Sequence, residues 1–198
     1  YSVSSGPKAD VGGIVGGNEA SSLTVSYIYN CGDITVNKSV TSSRNPTVYF
    51  SGLIGRDRKK TCNVAMGYNV GYIQGRGSAA VAIGYDVKSI ADCYYLDVCG
   101  VKQTGGAVSK TEKAMKLESF VSLLNAEGEN YFFFDYANTN NGFPILLYQM
   151  EFYTITGKCN TEQGSVSGTG KYPKGASVQL TATPKETYIF IGWNDGVT

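Results

Sequence analysis

Apolar and polar residues alternate along the first hundred positions in short runs cut off by glycine. Val25, Tyr27 and Tyr29 recur at every second residue, and so do Val64, Met66 and Tyr68. That is the period of a half-buried strand. Ahead of these runs stand two clusters of small and aliphatic residues, Gly12-Gly-Ile-Val-Gly16 and Ser51-Gly-Leu-Ile-Gly55, with Gly13 falling on Gly52 and Gly16 on Gly55. The same offset lays Val25, Tyr29, Asn30, Gly32 and Ile34 on the identical residues Val64, Tyr68, Asn69, Gly71 and Ile73. A shorter third copy runs through Val81-Ala-Ile-Gly84 and Ile90-Ala-Asp-Cys-Tyr-Tyr-Leu-Asp97. A second, smaller shift lays Gly55 on Gly84 and Val64 on Cys93. A unit of this size cannot bury its apolar face alone, whereas stacked copies can. The pattern therefore predicts a β-solenoid-like repeat domain in which Val25, Val64 and Cys93 form one inward stack. Asn30 and Asn69, each following a matching tyrosine, suit turn positions or a polar ladder at a coil corner.

Residues 101–150 leave the repeat and read as a helix-containing cap that completes a domain over 1–150. Ser109-Lys-Thr-Glu112 has the form of a capping box, and Leu117, Phe120, Val121 and Leu124 follow at helical spacing until Gly128. Laid over the last coil, such a helix would shield an open strand edge. Tyr131-Phe-Phe-Phe-Asp-Tyr136 is a strand packed on that helix in preference to an aromatic binding platform. A separate β-only module occupies 151–198. Tyr153-Thr-Ile155 opens a strand, Gly164-Ser-Val166-x-Gly168 marks a hairpin, and Tyr172-x-x-Gly175 marks a turn. Val178-x-Leu180-x-Ala182 alternates up to Pro184, and Tyr188-x-Phe190-x-Gly192-Trp193 starts another strand. Ile155, Val166, Val178, Leu180, Phe190 and Trp193 are its expected core. Trp193 could stack on a sugar, but beside Phe190 the core role is the simpler reading.

Composition narrows the chemistry. Glycine makes up 25 of 198 residues, charged residues are 17% and histidine is absent. Imidazole bases, Ser-His or Cys-His pairs and histidine-ligated metals are thereby excluded from this chain. A formal charge of +1 without a basic cluster argues against nucleic acid. The Arg56–Lys60 stretch reads as an exposed turn, and no apolar run is long enough to span a membrane. Cys31, Cys62, Cys93, Cys99 and Cys159 lack zinc spacing. A Cys93–Cys99 bridge is open if a turn joins them, but the preferred reading is of small buried thiols at aliphatic positions. Asp135, Asn138, Asn140 and Asn141 fail the spacing of a calcium loop. Asp33, Asp57, Asp86 and Asp97 sit in turns and form no catalytic pair, and Gly75-Arg-Gly77 is no phosphate loop. No catalytic, metal or cofactor residue is assigned, no cofactor is expected, and the ligand-binding residues stay unassigned. The chain opens at Tyr1 without a leader and stops at Thr198 within an unfinished pattern, so it reads as a piece of a longer protein.

Two resemblances rest on these motifs. Gly52-Leu-Ile-Gly55, its variant Gly13-Ile-Val-Gly16, the following Tyr-Asn-x-Gly-x-Ile and Asp92-Cys-Tyr-Tyr-Leu-Asp97 resemble the GLUG-motif repeats of bacterial surface and secreted proteins, over about residues 11–100. Asn141-Gly-Phe-Pro-Ile-Leu146 resembles the segment that often follows such repeats. The tail order G-x-V, G-x-Y-x-x-G, V-x-L-x-A-x-P, Y-x-F-x-G-W-x-D-G resembles the divergent internalin-type B repeat. That resemblance implies a small β-grasp-like unit, here without its usual last strand. Together they imply a non-catalytic, adhesin-like segment of an extracellular bacterial protein, displaying or attaching to a host or matrix protein or a glycan. The alternative they leave is an accessory carbohydrate-binding or spacer module of a secreted hydrolase or peptidase.

Overall fold

Strands form where β-branched and aromatic residues alternate between glycine-bounded turns. The computed structural model describes residues 8–37, 47–75, 79–103, 105–125, 128 and 130–194. Arg76 and Gly77 of the glycine pair, and Asp195 and Gly196 of the tail motif, lie outside them. The fold is mainly β with no closed barrel, its sheets small and separate. Two compact units are present, Tyr1–Phe134 and Asp135–Thr198.

In the first unit, β1 (Lys8–Gly12), β2 (Val15–Asn18), β3 (Leu23–Asn30) and β4 (Ile34–Val36) are followed by four counterparts. These are β5 (Thr47–Ser51), β6 (Ile54–Asp57), β7 (Cys62–Asn69) and β8 (Ile73–Gly75). Every counterpart pair is parallel and in register at the sequence offset: Lys8 faces Thr47, Val15 faces Ile54, Leu23 faces Cys62 and Ile34 faces Ile73. The third copy contributes β9 (Ala79–Val81) beside β5 and β10 (Ser89–Leu96) beside β7.

The third copy corrects the expected stack. Val25 faces Val64, but Val64 faces Ile90, and Cys93 faces Gly67. In β9 Ala79 faces Tyr49, and in β10 Ser89 faces Asn63. The path from Ala79 to Ser89 is thus shorter than its counterpart from Tyr49 to Asn63, and no single shift describes the copy. Matching Gly84 to Gly55 misleads, because Gly84 bridges Ile54.

The even alternation along the long strands is also interrupted. Tyr27, Met66 and Asp92 occupy one rung of the β3–β7–β10 sheet, and all three are left-handed, with φ of 54°, 49° and 47°. A left-handed residue breaks the pleat and turns the following side chains to the other face. Val64 therefore packs into the core, whereas Tyr68, four residues on, is buried on the other face against Phe120 and Phe132. One core joins Leu53, Ile54, Cys62, Val64, Ile83 and Cys93, with Val25, Ile28 and Ile90 packed against it. A second gathers Ile34, Val36, Val48, Phe50 and Ile73.

The cap differs from the predicted one. Ser109 lies in β11 (Ala107–Lys110), a parallel strand beside β10, so a strand covers that edge where a helix was expected. The helical segment is split into α1 (Glu112–Met115) and α2 (Glu118–Leu124). Thr111 caps α1, accepting from the Ala114 N–H at 3.3 Å. Leu117 is the N-cap of α2 and is exposed, while Met115, Phe120 and Leu124 are buried. Phe120 meets the rings of Tyr94 and Tyr68 edge-on at 5.1 and 5.9 Å, placing α2 on the face of the sheet. In β12 (Phe132–Phe133) the aromatic run contacts α2 as expected, and Phe132 also packs on Tyr68 of the sheet at 5.8 Å.

The second unit holds β13 (Ile145–Leu146), β14 (Phe152–Ile155), β15 (Gly164–Ser167), β16 (Gly170–Pro173) and β17 (Thr181–Pro184). β14 pairs with β16 and β15 with β17, both antiparallel. Two separate two-stranded ribbons bury little. Ile155, Val166, Val178 and Leu180 are only half-buried. Phe190 and Trp193 are 47% and 50% exposed, contrary to their expected core role. Residues 188–194 form no strand, so no pleat turns these rings inward.

Candidate functional site

Side-chain hydrogen bonds at the strand ends link successive copies of the repeat. Asn30 Nδ2 donates to Asn69 Oδ1 at 2.8 Å, and Asn69 Nδ2 donates to the Gly71 carbonyl at 3.0 Å, which is the polar ladder expected of these residues. At a second corner Asn18 Nδ2 donates to Asp57 Oδ1 at 3.0 Å, and the Cys62 N–H donates to Asp57 Oδ2 at 2.5 Å. Asp57 is fully buried at the end of β6, so its carboxylate is a structural acceptor. Asp33 accepts the Tyr72 N–H at 2.8 Å in a similar role.

The Arg56–Lys60 stretch does more than turn. Arg56 stacks on the Tyr49 ring at 4.0 Å and grips Asp86 through Nε and an Nη, both at 3.1 Å. Tyr85 closes the group, 4.6 Å from Tyr49, and Lys60 approaches Asp86 at 3.4 Å. Arg58 bridges to Asp10 at 2.6 Å and Glu19 at 3.1 Å, and its hydrogen bond to Asp10 raises its pKa. Arg56 and Asp86 belong to successive copies, and so do Glu19 and Arg58, so each of these ion pairs joins one copy of the repeat to the next. Composition alone hid that signal.

Cys93 and Cys99 are not bridged. Cys62, Cys93 and Cys99 are buried as expected, whereas Cys31 and Cys159 are exposed. Burial pushes the Cys62 thiol up to about 11, with Asp57 adding to the shift, and pushes Cys93 up to about 12. Thiolates are the reactive form. At pH 8 a maleimide should label Cys31 and Cys159 in the native chain and the other three only after denaturation. Peptide mapping by mass spectrometry checks this, and native labelling of Cys62 or Cys93 would contradict it.

The carboxylate of Asp135 lies at the centre of a closed loop. Its Oδ1 accepts the Thr139 N–H and hydroxyl, both at 2.9 Å, and its Oδ2 accepts the N–H groups of Asn140 at 2.6 Å and Gly142 at 3.1 Å. Burial pushes its pKa up, but the hydrogen bonds from Asn140, Thr139 and Gly142 outweigh it and leave the pKa lowered. With four donors on its two oxygens, the group is a loop staple. Among the described residues no cluster of three or more Cys, Asp or Glu side chains could hold a metal ion. A lowered folded-state pKa stabilises above the unfolded value and is lost as pH falls through the folded one. Asp135→Ala should therefore cost about 2 kcal/mol at pH 7. The difference from the parent chain should shrink at pH 3, as read by thermal unfolding at both pH values.

A groove of about 860 Å³ lies in the second unit. Val166, Leu180, Ala182, Tyr188, Phe190 and Trp193 line it. Phe190 and Trp193 meet edge-on at 5.1 Å. Asn160, Gln163 and Asn194 supply amides, and Lys158 is the charged side chain in the lining. Ring faces beside neutral hydrogen-bonding groups can bind a ligand. A family model described as the divergent InlB B-repeat domain matches residues 153–198, the stretch that builds this groove. No curated protein and no solved structure matches the chain. Among the described residues no helix is long and apolar enough to cross a membrane.

Proposed function

We propose that this chain is a non-catalytic segment of a bacterial cell-surface or secreted modular protein, acting in display or in attachment to a host or matrix protein or a glycan. The match of residues 153–198 to the divergent InlB B-repeat domain carries this reading, since such domains are typical of bacterial surface proteins. In-register parallel pairing at one offset supports a solenoid-like stack of GLUG-type coils as the displaying element. Stacked coils add length without needing a cofactor, which suits a spacer. A second reading, an accessory carbohydrate-binding module of a larger secreted enzyme, draws on the half-exposed Trp193 and Phe190 in one groove.

The immobilised chain should be probed with mucin, peptidoglycan, cellulose, collagen and fibronectin, with release of soluble products followed in parallel. Saturable binding without turnover is expected. Binding to a polysaccharide that Trp193→Ala abolishes would favour the second reading. Turnover of any probe would refute the non-catalytic reading.

A further inference from the structure

The three coils hand one hydrogen-bond pattern from each to the next. Ile14 and Val15 donate their N–H groups to the Leu53 carbonyl at 3.1 and 3.0 Å. Leu53 and Ile54 in turn donate to the Ile83 carbonyl at 3.1 and 2.9 Å. Ile83 and Gly84 stand next in line, and among the described residues no backbone carbonyl of a further coil receives them. Gln103 does so instead: its Oε1 accepts the Ile83 N–H at 3.0 Å and the Gly84 N–H at 3.2 Å, and its Nε2 donates to the Gly84 carbonyl at 3.3 Å. One side-chain amide thus copies the acceptor geometry of the missing backbone and also satisfies the carbonyl.

Neighbouring ladders receive substitutes from the same short segment. Ile34 donates to the Tyr72 carbonyl at 2.8 Å, and Ile73 donates to the Cys99 carbonyl at 2.7 Å. The β3–β7–β10 sheet ends on β11, where Cys93 faces Ala107 and Leu96 faces Lys110. Residues 99–110 therefore deliver three kinds of contact that a whole coil delivers elsewhere.

We propose that residues 99–110 are a stack terminator, in which Gln103 supplies in side-chain form the carbonyl a further coil would supply from its backbone. The Ile83–Gly84 rung then accepts neither another coil nor the backbone of a second copy. Unpaired strand groups at a sheet edge recruit partners, so closing them has a selective value apart from stability.

The test uses the full chain with Gln103→Met, which keeps the length and removes both hydrogen-bonding atoms. Amide exchange at Ile83 and Gly84 should speed up about tenfold or more, as expected for the loss of one or two net hydrogen bonds. Leu53 and Ile54, whose acceptor is the Ile83 carbonyl, should keep their protection. Sedimentation should show concentration-dependent dimers in Gln103→Met and none in the parent chain. Unchanged protection of Ile83 and Gly84 would overturn the proposal, and so would a variant that stays monomeric with both amides freed. Should Gln103→Met fail to fold, Gln103→Glu keeps the acceptor oxygen. Retained protection at both amides in that variant supports the proposal, and fast exchange there overturns it.

Discussion

Tyr68→Ala should destabilise the first unit by about 4 kcal/mol, the range found for emptying a buried aromatic site. Tyr68 is fully buried and stacks on Tyr29 with ring centroids 5.1 Å apart and planes 4° from parallel. Phe120 and Phe132 press on it at 5.9 and 5.8 Å. Removing the ring would leave a cavity bounded by a helix and two strands, held in place by backbone ladders that cannot close over it. The expected fall in melting temperature is about 10 °C. Tyr148→Ala, at a tyrosine 82% exposed, should stay within about 0.5 kcal/mol of the parent. Thermal unfolding of both variants checks the contrast, and a loss at Tyr68 no larger than at Tyr148 would remove this ring from the core.

Gly52→Ala ranks second, at about 3 kcal/mol for overpacking together with lost hydrogen bonds. A Cβ at Gly52 would lie far inside van der Waals contact with the Ala82 carbonyl oxygen, and 2.6 Å from Asn69 Oδ1. Neither neighbour can move freely. The carbonyl belongs to the next copy of the repeat, and Asn69 is held by Asn30 and by the Gly71 carbonyl. A side chain at 52 must displace the amide ladder or separate two copies. Gly13 repeats the arrangement, its Cβ falling 2.9 Å from Asn30 Oδ1. Gly32→Ala is the control, since its nearest neighbour would be an Asn30 oxygen at 3.6 Å. Urea unfolding should place Gly52→Ala well below the parent and Gly32→Ala within about 1 kcal/mol of it.

The same pair explains a departure in the third copy. There Tyr95 faces Asn69, so the amide ladder ends. The residue whose carbonyl abuts Gly52 is Ala82, which has the side chain that Gly52 cannot carry. Glycine and asparagine are thus one feature of the repeat, paired through space between separate strands. Their joint appearance in the first two copies was legible as a pattern, though its cause was not.

The repeat itself could be read from residues alone. In-register parallel pairing places each residue beside its counterpart in the next copy, so identity at a fixed offset becomes physical contact. For that reason the offset between the first two copies gave the pairing of Leu23 with Cys62, Val25 with Val64 and Asn30 with Asn69. The corner ladder followed from chemistry, because stacked asparagines satisfy each other.

Only the tertiary structure decided the rest. The left-handed rung at Tyr27, Met66 and Asp92 carries three unlike side chains, so no residue type announced it. The shortening of the third copy was masked by a coincidental glycine match. Tyr188 and Phe190 follow a strand period but lie where no strand forms, and the rings of Phe190 and Trp193 stay half-exposed. Gln103 belongs to no repeat position, and its role exists only because the fold carries its amide back to the N–H groups of Ile83 and Gly84. Periodic contacts are encoded in periodic residues. A side chain that imitates backbone has no period, and its meaning depends on where the chain has already been placed.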